Sequence, residues 1–254
     1  MKPYESKLLE YITDAGLDIF SKEVLIKNID LPEKEVEKAL RNLVNADFLR
    51  VIEKGKYCRY DFRNEFAIGN FLARDGGIAY WTAMNYHGLT EQLPNIIFVQ
   101  TAKKKADKTI FGVRYRFVQV KQEKLVGYKV EGYGNLVYKI TDTEKTIVDC
   151  FDLPQHAGGY NEIIKAFAKA ELSARKLVAY CKAIDNIAVT KRIAFLSELL
   201  EKKNMEFFLE YAQRVRNEKY NLFDPHRVKS GKSDRKWRLI INMSIDEIMN
   251  IANS

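Results

Sequence analysis

Hydrophobic positions recur at helical spacing through the first 46 residues. Leu8, Leu9 and Ile12 mark an amphipathic helix over 4–15, closed by Gly16. A second helix opens at 20–24, with Ser21 as N-cap and Phe20 and Val24 as a hydrophobic staple, and ends near Asp30. Val36, Leu40, Leu43 and Val44 form the apolar stripe of a third helix over 32–46, with Pro32 in its first turn. The pattern then becomes that of short strands. Residues 48–52 and 57–62 predict two strands around Glu53-Lys54-Gly55-Lys56, a hairpin. Three helices and a hairpin make the winged helix-turn-helix plan.

Residues 63–70 read as a linker into a short helix over 66–73, broken by Asp75-Gly76-Gly77. Between Gly77 and Thr101 lie a helix with Ala83, Met84 and Tyr86 on its apolar side, a His87-Gly88 stop, a polar loop over 90–94 and an apolar strand over 96–99. Thr82 is the expected cap of that helix. Strand-like runs follow over 109–120, 124–128 and 135–140. Thr141 or Asp142 caps a helix reaching Phe151, and Thr141-Asp142-Thr143-Glu144 has capping-box spacing. Gly158-Gly159 makes a turn. Helices are expected over 160–170, 174–184 (capped by Ser173), 189–200 and 205–215. A strand over 237–241 and a last helix opened by Ser244 and Glu247 complete the chain. The fold class is therefore α+β: an N-terminal winged helix-turn-helix over 1–64, then a larger mixed α/β domain over 65–254 with C-terminal helices and a helical subdomain over 160–220.

Composition bounds this picture. The 254 residues suit about two domains, at roughly 100–200 residues each. No apolar run reaches the roughly 20 residues of a membrane span, and the N-terminal residues lack a signal-peptide core. A cytoplasmic protein is expected. Cys58, Cys150 and Cys181 form no CxxC pair, so buried thiols are expected rather than disulfides or zinc. The net charge of +8 points to polyanionic partners. It is unevenly spread: residues 1–62 carry eleven Lys/Arg against twelve Asp/Glu, whereas 103–145 carry eleven against five, an excess of +6.

The third helix is the candidate reader of DNA. Lys34, Lys38, Arg41 and Asn45 fall on one stripe away from its apolar face. Arg and Asn pair with guanine and adenine edges, and Lys with guanine or phosphate. The hairpin adds Lys54, Lys56 and Arg59 as phosphate or minor-groove contacts. Lys103, Lys104 and Lys105 sit in an exposed basic turn that would lengthen the footprint, and Arg114 and Arg116 alternate onto one face of the sheet beside it. Against this, Glu33, Glu35 and Glu37 flank the stripe, and the first 62 residues are nearly neutral. A solvated helix face and a protein-contacting winged helix are the competing readings.

Catalysis is not expected. Asp142, Glu144 and Lys145 resemble the acid–acid–lysine set of metal-dependent nucleases in composition only. Those sites need the acid and lysine two residues apart on a strand, and here they are adjacent at a helix start. His87, His156 and His226 are scattered, with no acid or cysteine at ligand spacing. His87 reads as a residue hydrogen-bonded near its turn. No cofactor or metal is called for.

Two blocks also carry a family resemblance. Trp81-Thr82-Ala83, then Tyr86-His87-Gly88-Leu89-Thr90-Glu91-Gln92 and Pro94, form one. Asp142-Thr143-Glu144-Lys145-Thr146-Ile147-Val148-Asp149-Cys150-Phe151, with Pro154 and Ala157-Gly158-Gly159, form the other. In this order they resemble AbiEi-type antitoxins, transcriptional regulators of phage-defence operons. The resemblance spans about 4–241 and thins in the last third. It implies a winged helix that binds double-stranded DNA at its own promoter, at inverted repeats, and represses its operon. It implies a C-terminal antitoxin activity of a type IV toxin–antitoxin system. The partner would be a nucleotidyltransferase toxin, with no stable complex expected. The family's glycine after the recognition helix is replaced here by Ala46-Asp47. The alternatives are a winged-helix regulator without a toxin partner and a metal-dependent nuclease.

Overall fold

The computed structural model describes residues 2–254, Asn135 without its side chain. The helical spacing near the N-terminus gives α1 (Pro3–Asp14). A strand too short to leave a periodic signal, β1 (Ile19–Ser21), separates it from α2 (Lys22–Asn28) and α3 (Glu33–Asn45). Their apolar stripes converge: Leu8, Ile12, Leu25, Val36, Leu40 and Leu43 share one buried cluster with Phe20 and Leu49. Ser21 holds the N-cap position of α2 but makes no side-chain cap bond. The chain leaves α3 through Asp47, whose φ of 58° is the left-handed conformation expected of glycine there. Aspartate is among the residues that tolerate it. Then come β2 (Leu49–Glu53) and β3 (Lys56–Arg59), which pair antiparallel; β1 joins β3 to complete a sheet of order β1-β3-β2.

The central sheet is mixed. α4 (Glu65–Leu72), capped by Asn64 through a 2.9 Å bond from Ala67 N, leads to β4 (Gly77–Ile78) and α5 (Tyr80–Tyr86). Then follow β5 (Ile96–Thr101), β6 (Lys108–Ile110), β7 (Val113–Gln119), β8 (Tyr128–Glu131) and β9 (Tyr138–Thr141). The strand order is β6-β7-β5-β4-β9-β8, with β5/β7 and β4/β9 parallel. Side chains alternate between two covered faces. Phe98 and Val118 enter one core cluster, and Ile97, Val99, Tyr115 and Phe117 the other. Burial on both faces is why β5 reads as a continuous apolar run. Gly76 is a steric necessity as much as a break: a Cβ there would lie 1.7 Å from the Gln100 carbonyl oxygen.

The face bearing Phe98 is covered by α5 and by α6 (Thr143–Asp152), α7 (Tyr160–Lys169), α8 (Ala174–Ile184) and α9 (Ile187–Leu199), with α10 (Glu206–Val215) in the same cluster. A small sheet of β10 (Asn221–Leu222), β11 (Lys232–Asp234) and β12 (Leu239–Ile241) follows, then α11 (Ile245–Ala252). The other face packs on α4 and on Ile19, Ile52, Cys58 and Phe62 of the first 62 residues. The whole is a mixed α+β chain of eleven α-helices and three sheets among the described residues. None of those helices is long and apolar enough to cross a membrane.

Several local expectations change. Thr82 is not a cap: Ala79 holds that position, and the buried Thr82 hydroxyl donates to Ile96 O (3.1 Å) and accepts from Phe98 N (2.9 Å), tying α5 to β5. The strand expected over 124–128 is a 3-10 turn at Gln122–Lys124, with pairing beginning at Tyr128. The run over 135–140 shortens to Tyr138–Thr141. At α6 the cap is Asp142, accepting from Lys145 N at 2.9 Å. Glu144 does not close a box with Thr141; it reaches Ser173 N and Lys176 at α8 instead.

Candidate nucleic-acid interface

The spacing of Lys34, Lys38, Arg41 and Asn45 on α3 does what helical geometry requires. Val36, Ala39, Leu40 and Leu43 are buried, and all four polar residues are exposed. None of Lys34, Lys38 and Arg41 is in an ion pair among the described residues. Two of the carboxylates that flank the stripe are otherwise engaged. Lys22, at the start of α2, holds Glu33 at 3.1 Å and Glu37 at 2.6 Å. Hydrogen bonds to Glu37 and Glu33 raise the Lys22 pKa, and the bond from Lys22 lowers that of Glu37. Lys22 carries no periodic signal, so nothing in the sequence singles it out.

The hairpin tip stands beside this stripe. Arg41 and Lys54 both act on the Glu37 carboxylate, which places the tip lysine near the helix. Lys54 is exposed, and Gly55 makes the turn with φ of 76°. The Gly55 carbonyl accepts from Lys22 N at 2.8 Å, fixing the tip to the start of α2. Arg59 is partly exposed and lies 3.8 Å from Asp18.

Two more of the expected DNA contacts are in ion pairs. Lys56 (2.8 Å) and Lys105 (3.1 Å) both bind the Glu53 carboxylate, and Lys108 joins them. Lys56 also donates to Phe71 O. The reason is tertiary: β2 ends at Glu53 against the turn that precedes β6, so a carboxylate of the hairpin meets lysines of that turn and strand. Lys103 and Lys104 remain exposed. Arg74, also exposed, lies over the Phe71 ring at 4.8 Å. Arg114 and Arg116 share a face of β7, Arg116 being held by Asp107 at 3.0 Å.

The acidic residues of α6 are in structural contacts. Asp142, besides capping, accepts from Tyr180 Oη (2.7 Å) and Lys176 (3.0 Å). Lys145 is wholly buried and paired with buried Asp149 one turn on. His87 Nε2 meets Thr141 O at 2.6 Å, as expected near its turn. His156 packs on Tyr80 and Phe98, and burial lowers its pKa. The three cysteines are free and buried; burial pushes Cys58 and Cys181 up to about 12. Among the described residues, no group of three His, Cys, Asp or Glu is placed to hold a metal ion.

No family model and no curated protein matches the chain. Its fold is similar to that of a solved protein from Mycobacterium tuberculosis, RV2827C. The TM-score is 0.66 over 100% of this chain and 96% of that one, at 12% identity. At that identity the likeness is one of fold alone.

Proposed function

We propose that this protein is a DNA-binding transcriptional autorepressor and the antitoxin of an AbiEi-type toxin–antitoxin pair whose toxin is a nucleotidyltransferase. In this reading residues up to 64 are a winged helix, α3 is its recognition helix and the β2–β3 hairpin its wing. The observation that carries DNA binding is the exposed Lys34–Lys38–Arg41–Asn45 stripe, with Glu33 and Glu37 both paired with Lys22, and with Lys54 alongside. A near-neutral unit thus offers a locally cationic face, which is what phosphate and base-edge contact need.

The antitoxin half of the proposal rests on the family resemblance. The two blocks that carry it pack together. Met84 Sδ lies 3.2 Å from Cys150 Sγ, and a Cβ on Gly158 would strike the Trp81 ring at 2.6 Å. Residues far apart in the chain thus make one unit of the core.

Lys38→Ala and Arg41→Ala test the first half. Each should leave folding intact and remove about 1–3 kcal/mol of sequence-specific binding to the promoter of its own gene, relaxing specificity at one position. Gel-shift titration reads this, and unchanged affinity and specificity in both variants would show that α3 is not the reader. Co-expression with a nucleotidyltransferase toxin of the AbiE kind tests the second half: growth should recover only with the full chain.

A further inference from the structure

Glu53 closes β2 at the hairpin tip, and its carboxylate gathers lysines from two parts of the chain. Lys56 comes from the far side of the tip, Lys105 from the basic turn and Lys108 from β6. The side chain is only 16% exposed. Burial opposes its ionisation, yet hydrogen bonds from Lys108, Lys56 and Lys105 outweigh burial and hold the carboxyl at about 2. The same seam is held by Arg50, whose guanidinium carbon lies 3.5 Å from the Phe111 ring centroid. A carboxylate on a DNA-facing surface repels phosphate, and this one also withdraws lysines from contact. What it supplies is a fixed join between the tip that carries Lys54 and the turn that carries Lys103 and Lys104.

We propose that Glu53 is a positioning residue: by clamping the hairpin tip to the turn before β6, it sets Arg41 and Lys54 on one duplex track with Lys103 and Lys104. This rests on the DNA-binding reading above and adds to it a single continuous footprint, with the spacing of its two halves set by one ion-pair cluster. Lys103 and Lys104 contact phosphate beyond the segment read by α3. Lys56 and Lys105 act through Glu53 and touch no DNA.

Glu53→Gln in the full chain separates two accounts by sign. If Glu53 is merely a repelling charge, its removal tightens binding and leaves the protected length of DNA unchanged. If it is a clamp, binding weakens although the protein has become more positive. The log–log salt slope then becomes shallower by about 1.8, two phosphates at roughly 0.9 each. Hydroxyl-radical protection shortens on one flank. Without DNA, amide exchange in E53Q should quicken at 53–56 and 103–108 and stay unchanged elsewhere. Should E53Q fail to fold, Lys108→Met removes one strut and keeps the carboxylate, and a shortened footprint is again expected. Tighter binding at full protected length, or unaltered exchange at the tip, overturns the clamp. A wild-type chain that binds neither its promoter nor random duplex overturns the DNA reading instead. The exchange measurement would then show the cluster to be a structural join alone.

Discussion

Lys22 of α2 holds Glu37 of α3 through a 2.6 Å ion pair, on the helix whose outer face carries Lys38 and Arg41. Both partners are partly exposed, so the pair adds little to stability. Its consequence is local: a carboxylate one turn before Arg41 is neutralised by a residue from another helix. Lys22→Gln should therefore weaken DNA binding, by less than the tenfold that corresponds to a base pairing worth about 1.4 kcal/mol. Adding Glu33→Gln and Glu37→Gln should restore it. Fluorescence titration of the single and triple variants checks this; a triple variant no better than the single one would mean that Lys22 contacts DNA itself.

The basic turn should divide into two kinds of lysine. Lys103→Ala with Lys104→Ala should weaken binding about equally on promoter and random duplex, with the salt slope shallower by roughly 0.9 for each phosphate no longer neutralised. Lys105→Ala should instead loosen the hairpin tip, because its partner is Glu53. Salt-dependent binding and amide exchange on the same variants distinguish the two effects.

Gly158 has φ of 76°, and a Cβ there would meet the Trp81 ring at 2.6 Å. Gly158→Ala should cost about 1–3 kcal/mol from overpacking, in addition to the left-handed strain. Gly88, with φ of 66° and open space around it, isolates the strain alone. Gly88→Ala should cost about 1–2 kcal/mol. Denaturant midpoints compare them, and equal losses would mean that the Trp81 ring moves aside freely.

Glu53 predicts a pH dependence. Its folded pKa of about 2 lies below the ordinary 4.5, so the unfolded chain binds the proton first. The stability contributed by the cluster is complete above pH 4.5 and is lost as pH falls from there towards 2. Glu53→Gln should remove that part of the acid sensitivity. Melting curves between about pH 5 and about 2.5 read it, and parallel curves for both proteins would contradict it.

Most of the helices and the hairpin can be read from spacing, since 3.6-residue and two-residue periods are written directly in which positions are apolar. The stripe on α3 is legible for the same reason: one helix determines which of its own residues share a face. Strands of two or three residues, such as β1 and β4, leave no period, and they form only because β3, β5 and β9 offer partners. Thr82 resembles a cap as long as its helix is considered alone; the carbonyl and amide of β5 offer its hydroxyl a buried use. Lys56 and Lys105 look free along the chain for the same reason. A charge count sums residues, but the field at a surface depends on which groups the fold brings within a few ångströms. The sequence alone determined the apolar faces, a cap at Thr141 or Asp142 for α6, and the basic excess of the middle segment. Only tertiary structure decided which lysines remain free: Lys22 pairs with two carboxylates from across a helix pair, and Glu53 draws in lysines from its own hairpin and from a distant turn.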